Sequence, residues 1–255
     1  MPTIQVAGQT MYYSVLGDGP PVMILHGWTD TGDRLRPLAE ALPGYQVILP
    51  DLPGYGRSVP PFRTFPPDFY QRDATVMGMF IDVLGLSGVH VMGFSDGGEV
   101  ALLLGVLRPD LPRSIIAWGA IGAFGPEACE RARRGGLPIW FDASLEARHP
   151  GQNVYAWHQQ WVEAFCALIA AGGDISLSRA VDIPCPLLLM LGEHDSLNPP
   201  AAGQHYVRAS ARHGVVRLFR AFPGAGHAIH EQQPEAFAAA VRDFLRRAES
   251  GRWQD

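Results

Sequence analysis

The stretch Val89-His90-Val91-Met92-Gly93-Phe94-Ser95-Asp96-Gly97-Gly98-Glu99-Val100 constrains the fold of this chain more than any other part of it. A β-branched apolar run ends in Gly-x-Ser-x-Gly, and a helix-forming run, Glu99 to Leu107, follows at once. Strand, sharp turn and helix are therefore written consecutively, which is the context of a nucleophile elbow. Glycines at 93 and 97 remove Cβ atoms that would clash in so tight a turn, and they let Ser95 adopt a strained conformation with its hydroxyl directed into a cleft. Gly98 lets the helix pack close to its neighbours. Ser95 then stands at a helix N-terminus, where backbone N–H groups and the helix dipole favour the negative charge of an acyl-transfer intermediate. An ordinary strand-to-helix turn that happens to contain serine would read the same way, so the rest of the chain must decide.

Around this stretch, apolar runs alternate with helical patterns. Pro21 to Leu25, Val47 to Leu49, Ser114 to Trp118, Pro186 to Leu191 and Val215 to Phe222 have the character of strands in a largely buried parallel sheet. Ile4 to Ala7 and Met11 to Val15 alternate around Gly8-Gln9 as an edge hairpin would. Helices are expected from Thr31 to about Leu42, Asp68 to Leu84, Pro200 to Ser210 and Pro234 to Arg247. The alternation predicts an α/β fold: a mostly parallel, twisted sheet of about eight strands flanked by helices. It lapses from Phe124 to Ala180, where helical patterns at Glu127 to Arg134 and Val154 to Ala171 carry a crowd of aromatic residues. A separate unit shorter than about 60 residues is marginal alone. Residues 124–180 are accordingly read as a helical cap inserted after the sixth strand, over a core formed by residues 1–123 and 181–255. The plainest role for its aromatics is to pack the cap onto the core.

Composition narrows the function classes. With 20 basic against 25 acidic residues and a net charge of −5, and with no basic run able to track phosphates, nucleic acid is not an expected partner. Cys129, Cys166 and Cys185 are odd in number and lack Cys-x-x-Cys spacing, which argues against a disulfide framework and against a zinc site. A reducing, cytoplasmic setting is the expectation, with no metal and no cofactor. Met1 to Gln5 lacks a basic segment followed by an apolar one, and no run reaches the roughly 18 apolar residues of a membrane span. Neither export nor a membrane partner is therefore expected. The sequence leaves the oligomeric state open.

Three residues carry candidate chemistry: Ser95, Asp195 in Leu191-Gly192-Glu193-His194-Asp195, and His227 in Gly224-Ala225-Gly226-His227. Each follows a predicted strand, so all three converge on the cleft outside the carboxyl ends of the sheet. A serine hydroxyl is a poor nucleophile at its free pKa. A neutral imidazole must take its proton, and that imidazole needs a carboxylate to fix its tautomer and stabilise its charged form. His230 or His194 could replace His227, and Glu193 could replace Asp195, but these flank the two turns less favourably. Two backbone donors are expected for the oxyanion, Asp96 N–H directly after the nucleophile and Trp28 N–H directly after His26-Gly27. His26 itself is read as a support of its loop.

With His26-Gly27-Trp28, Asp51-Leu52-Pro53-Gly54-Tyr55-Gly56-Arg57-Ser58, Gly93-Phe94-Ser95-Asp96-Gly97-Gly98, Gly192-Glu193-His194-Asp195 and Gly226-His227 in this order, the chain resembles the α/β-hydrolase superfamily over nearly its full length. Within it, Ser95-Asp96-Gly97-Gly98 together with His26-Gly27-Trp28 resembles the valacyclovir hydrolase (biphenyl hydrolase-like) branch. The resemblance implies a serine hydrolase that cleaves small carboxylic esters through an acyl-enzyme, with Asp96 as a substrate-binding residue that holds the amino group of an α-amino-acid ester. Asp96 could instead complement the positive end of its helix, or make another polar contact. A cofactor-free perhydrolase or haloperoxidase-like activity, or a slow-turnover ligand receptor, would use the same framework.

Overall fold

The computed structural model describes residues 2–138 and 140–253. Its hairpin, β1 (Thr3–Val6) and β2 (Gln9–Leu16), turns through Ala7 and Gly8, both at positive φ. The strands β3 (Pro21–Leu25), β4 (Gln46–Pro50), β5 (Val89–Phe94), β6 (Pro112–Trp118), β7 (Leu187–Gly192) and β8 (Arg217–Phe222) complete a sheet of order β1-β2-β4-β3-β5-β6-β7-β8. Only the β1–β2 and β2–β4 pairings are antiparallel. This is the mostly parallel eight-stranded sheet that the alternation predicts.

Parallel neighbours cannot be joined by tight turns, so helices cross the sheet on both faces. Met23, Leu25, Val91, Ile115 and Leu189 pack towards α2 (Phe69–Val83) and α3 (Asp96–Leu107). Val22, Ile24, Met92, Ile116 and Met190 face α1 (Arg36–Glu40) and the last helix of the chain (Pro234–Ser250). Successive strand side chains point to opposite faces, so a strand covered on both sides must be apolar throughout. β8 lies at the sheet edge, and Leu218 and Arg220 are exposed there.

Three local expectations change. The helix expected from Thr31 to Leu42 is a 3-10 turn at Gly32–Leu35 followed by α1, because Pro37 has no N–H with which to continue the ladder back to Asp33. Between β6 and β7 come α4 (Pro126–Arg134), α5 (Ala143–Arg148) and α6 (Val154–Ala170). The six-residue α5 was too short to show a period; Asp142 caps it by accepting N–H bonds from Ser144 and Leu145.

The third change concerns the cysteines. Cys129 on α4 and Cys166 on α6 form a disulfide with Cα atoms 5.0 Å apart, against the expectation of no disulfide. The packing of α4 on α6 brings them together, and a separation of 37 residues gives no hint of it. The expectation of a reducing setting rested on unpaired cysteines and loses that ground. Cys185 is free, and burial pushes its thiol up to about 12. Among the described residues, no helix is long and apolar enough to cross a membrane, and no group of three or more His, Cys, Asp or Glu could hold a metal ion.

Candidate active site

β5 delivers Ser95 at φ 53° and ψ −121°, and α3 begins at the next residue. Such a conformation costs on the order of 1–3 kcal/mol and persists only where its surroundings enforce it. Here they do. A Cβ on Gly93 would lie 2.0 Å from the Gly97 carbonyl oxygen, and one on Gly97 would lie 2.4 Å from that of His26. Ser95 N–H donates to the Trp118 carbonyl on β6 at 2.9 Å, and the Ser95 carbonyl accepts from Glu99 N–H at 3.0 Å. The turn is thus closed on both sides by backbone with no room for a side chain.

Asp195 follows β7 and His227 follows β8. His227 Nδ1 lies 2.8 Å from Asp195 Oδ2, and its Nε2 lies 3.0 Å from Ser95 Oγ. Asp195 is fully buried, and its Oδ1 accepts from Leu197 N–H and Asn198 N–H, both at 3.0 Å. With Nδ1 donating to the carboxylate, Nε2 is left as the acceptor for the serine hydroxyl. Gly119, at φ +63°, borders the ring: a Cβ there would sit 2.8 Å from His227 Cε1. Asn198 donates to the Gly119 carbonyl at 2.8 Å and fixes the same corner.

The competing residues lie elsewhere. His230 Nδ1 accepts from Trp118 Nε1 at 3.1 Å, and burial lowers its pKa to about 4. His194 is exposed. Glu193 is exposed and accepts from Gly224 N–H at 2.9 Å, so it braces the turn after β8.

The loop after β3 lies against the elbow, since a Cβ on Gly27 would come within 3.2 Å of Ser95 Cβ. His26 fixes that loop: Nδ1 donates to the Gly27 carbonyl at 2.8 Å and Nε2 accepts from Leu52 N–H at 2.9 Å. Burial lowers its pKa to about 3, so it stays neutral in this role. Trp28 and Asp96 therefore border Ser95 from two sides, and Asp96, as the first residue of α3, has an N–H with no acceptor inside the helix.

The Asp96 side chain is buried against α6. Oδ1 accepts from Tyr70 Oη at 2.8 Å and Oδ2 from Trp161 Nε1 at 3.0 Å, and it has no ion-pair partner among the described residues. Burial raises its pKa to about 6 despite both bonds. One turn on, Glu99 is buried too and raised to about 7 by burial; it accepts the N–H groups of Ile121 and Gly122, where the chain leaves β6. Tyr70, Trp161 and Glu99 were missed from the sequence. An acid in the first turn of the elbow helix was the only available signal, and it pointed at Glu99 alone.

These groups open into a cavity of about 730 Å³ lined by Trp28, Ser95, Asp96, Phe124, Trp161 and His227, among others. Its aromatic wall is continuous: Trp28 stacks on Trp161 at 4.9 Å, and Trp161 stacks on Phe165 at 4.8 Å.

A mostly parallel sheet carrying a strained serine on a strand-to-helix turn, with a histidine in hydrogen-bond reach after the last strand, defines the α/β-hydrolase class. A family model described as "Alpha/beta hydrolase family" matches residues 22–240, and the chain belongs to that family. Serine hydrolase BPHL from Mus musculus is 28% identical over 257 aligned residues, covering 95% of this chain and 85% of that protein. The pimeloyl-[acyl-carrier protein] methyl ester esterase of Xanthomonas campestris pv. campestris is 28% identical, covering 92% and 98%. Among solved structures, a meta-cleavage product hydrolase from Pseudomonas fluorescens superimposes with TM-score 0.76 at 21% identity, covering 97% and 98%. A thermophilic esterase from Thermogutta terrifontis gives 0.70 at 23% identity, covering 97% and 99%. These structures share the fold; the family and its relatives make the chain a hydrolase.

Proposed function

We propose that this hydrolase cleaves small carboxylic esters through an acyl-enzyme on Ser95. The observation that carries the reading is the unbroken line from Ser95 Oγ through His227 to Asp195, opening on an apolar cavity. Ser95 attacks the ester carbonyl while His227 Nε2 takes its proton; Asp195 holds the imidazole and stabilises its cation. The Trp28 and Asp96 N–H groups receive the oxyanion. His227 then returns the proton to the leaving alcohol, and water repeats the sequence to release the acid. Residues 124–180 act as a cap whose aromatics form the far wall of the pocket, so the substrate is a small molecule, and neither a metal nor a cofactor enters the reaction.

The same reading extends to α-amino-acid esters. Asp96 lines the cavity with two neutral donors, Tyr70 and Trp161, as its hydrogen-bond partners, and burial raises its pKa, so a cation brought beside it would favour its charged form. A substrate ammonium supplies that cation, and it also offsets the repulsion between an ionised Asp96 and the oxyanion forming beside it. The Mus musculus relative bears the name serine hydrolase, and the Xanthomonas campestris relative that of a methyl ester esterase, in keeping with ester cleavage.

The test is a matched pair of esters with and without an α-amino group. Asp96→Asn is expected to remove a charge-assisted contact of roughly 1.5–3 kcal/mol, or about tenfold to a hundredfold in kcat/KM for the amino ester. For its neutral analogue, kcat/KM is expected to hold or rise modestly. An equal loss on both esters rejects amino recognition, as does no change on either.

A further inference from the structure

The turn that carries Trp28 is held from two directions. On the core side the Gly27 carbonyl accepts from His26 Nδ1 and from Asp30 N–H, at 2.8 and 3.2 Å. On the other side stands Thr29, a β-branched residue at φ +63°, where such residues are rarely found. A residue forced there relaxes unless something holds it. What holds Thr29 comes from the helical insertion. His149 Nε2 lies 3.2 Å from the Thr29 carbonyl, and Trp140 Nε1 donates to Thr29 Oγ1 at 3.1 Å. The Thr29 hydroxyl in turn donates to the Trp28 carbonyl at 2.6 Å.

His149 is built for this contact. It is 1% exposed, and Gly56 N–H donates to its Nδ1 at 2.7 Å, which leaves the proton on Nε2 and makes that nitrogen the donor to Thr29. Its ring packs edge-on against Tyr55 and Trp157, so it bridges the loop after β4, the loop after β3 and α6. Neither His149 nor Trp140 reaches Ser95, Asp195 or His227 through any hydrogen bond described above.

We propose that His149, seconded by Trp140, is a positioning residue that holds the Trp28-Thr29 turn in its strained form and thereby sets the oxyanion donor from the insertion. The inference rests on the proposed acyl transfer and on Trp28 N–H as an oxyanion donor. Its consequence is that the core completes the Ser95-His227-Asp195 line by itself, while the oxyanion site is complete only with the insertion seated on it.

The test compares His149→Phe, which keeps an aromatic ring and removes both bonds, with His149→Gln, whose amide can accept from Gly56 and donate to Thr29. Removing an oxyanion donor outright costs about a hundredfold to a thousandfold in kcat, so a misaimed one is expected to cost about tenfold to a hundredfold. His149→Phe should show that loss in kcat with KM within about twofold, and a phenylboronic acid, whose tetrahedral serine adduct places an oxygen in the same hole, should bind more weakly by a similar factor. His149→Gln should recover most of both losses. A folded His149→Phe with wild-type kcat and boronate affinity overturns the proposal, as does an equal loss in the two variants. Should His149→Phe fail to fold, His149→Asn decides, since its shorter side chain can still accept from Gly56 N–H but no longer reaches the Thr29 carbonyl: a drop in kcat and boronate affinity supports the proposal, and wild-type values refute it. Ester turnover by the wild-type protein that survives Ser95→Ala would instead sink the acyl-transfer reading itself, and would be recognised before any His149 variant is measured.

Discussion

The elbow and the helical stretch between β6 and β7, the proposed insertion, are held together by different physics. At the elbow, Gly93, Gly97 and Gly98 bring backbone against backbone, and a single Cβ on Gly97 would meet the carbonyl oxygens of His26 and Leu25 within 2.5 Å. Nothing there depends on a side chain finding a distant partner. In the insertion, α4 and α6 are joined by a disulfide, Trp161 is stacked between Trp28 and Phe165, and Trp140 and His149 reach across to Thr29. Apart from the Trp161–Phe165 stack within α6, each of these contacts joins positions far apart in sequence. A single substitution there breaks one such contact, whereas a side chain added at the elbow displaces backbone.

The largest expected effect falls on the core. Ser95→Ala and His227→Ala should each lower kcat by on the order of 10⁴-fold or more with an unchanged Tm, and the double variant should be little worse than either single one, because the residues act as one unit. Steady-state ester hydrolysis with parallel thermal melts checks this; near-normal turnover in His227→Ala would move the base to another histidine. Next comes Gly97→Ala. Displacing the elbow by even a fraction of the clash should cost about a hundredfold in kcat, since an error of about 1 Å at a reacting group is worth that much. Overpacking should also lower stability by about 1–3 kcal/mol. A Gly97→Ala protein with wild-type melting and kinetics would remove the contrast between the two regions.

A smaller effect sharpens the contrast from the pocket side. Asp96 is raised to about 6 by burial, so it carries its charge above that pH and loses it below. The ratio of kcat/KM for an amino ester to that for its neutral analogue is expected to fall about tenfold between pH 7.5 and pH 5, and to be flat in Asp96→Asn. Taking the ratio cancels whatever titration the two reactions share. A ratio that ignores pH in the wild-type protein would detach Asp96 from the substrate.

The smallest effect on turnover belongs to the disulfide. Replacing Cys129 and Cys166 with serine should leave kcat for a small neutral ester within about twofold, although closing a 37-residue loop contributes roughly 2–4 kcal/mol in the chain-entropy picture. That loss should appear as faster hydrogen exchange in α4 and α6, with β5 and α3 unaffected. Faster exchange at the elbow as well would mean that the two regions are one cooperative unit.

What the sequence determined by itself was local or ordinal. Gly-x-Ser-x-Gly between an apolar run and a helical one specifies the elbow because the steric reasons lie within a few residues, and strands buried on both faces announce themselves as unbroken apolar runs. Asp195 and His227 were legible because each follows a predicted strand in an order that a parallel sheet gathers at one edge. The 3-10 turn at Gly32–Leu35 could have been read from Pro37 and was not. Only the tertiary structure decided that Cys129 meets Cys166, that Asp96 takes its donors from Tyr70 and Trp161, and that His149 reaches Thr29 from 120 residues away. Those pairings depend on how α2 and the insertion dock on the sheet. Docking is decided by the summed packing of many apolar side chains, and no spacing within a single stretch of chain records that sum.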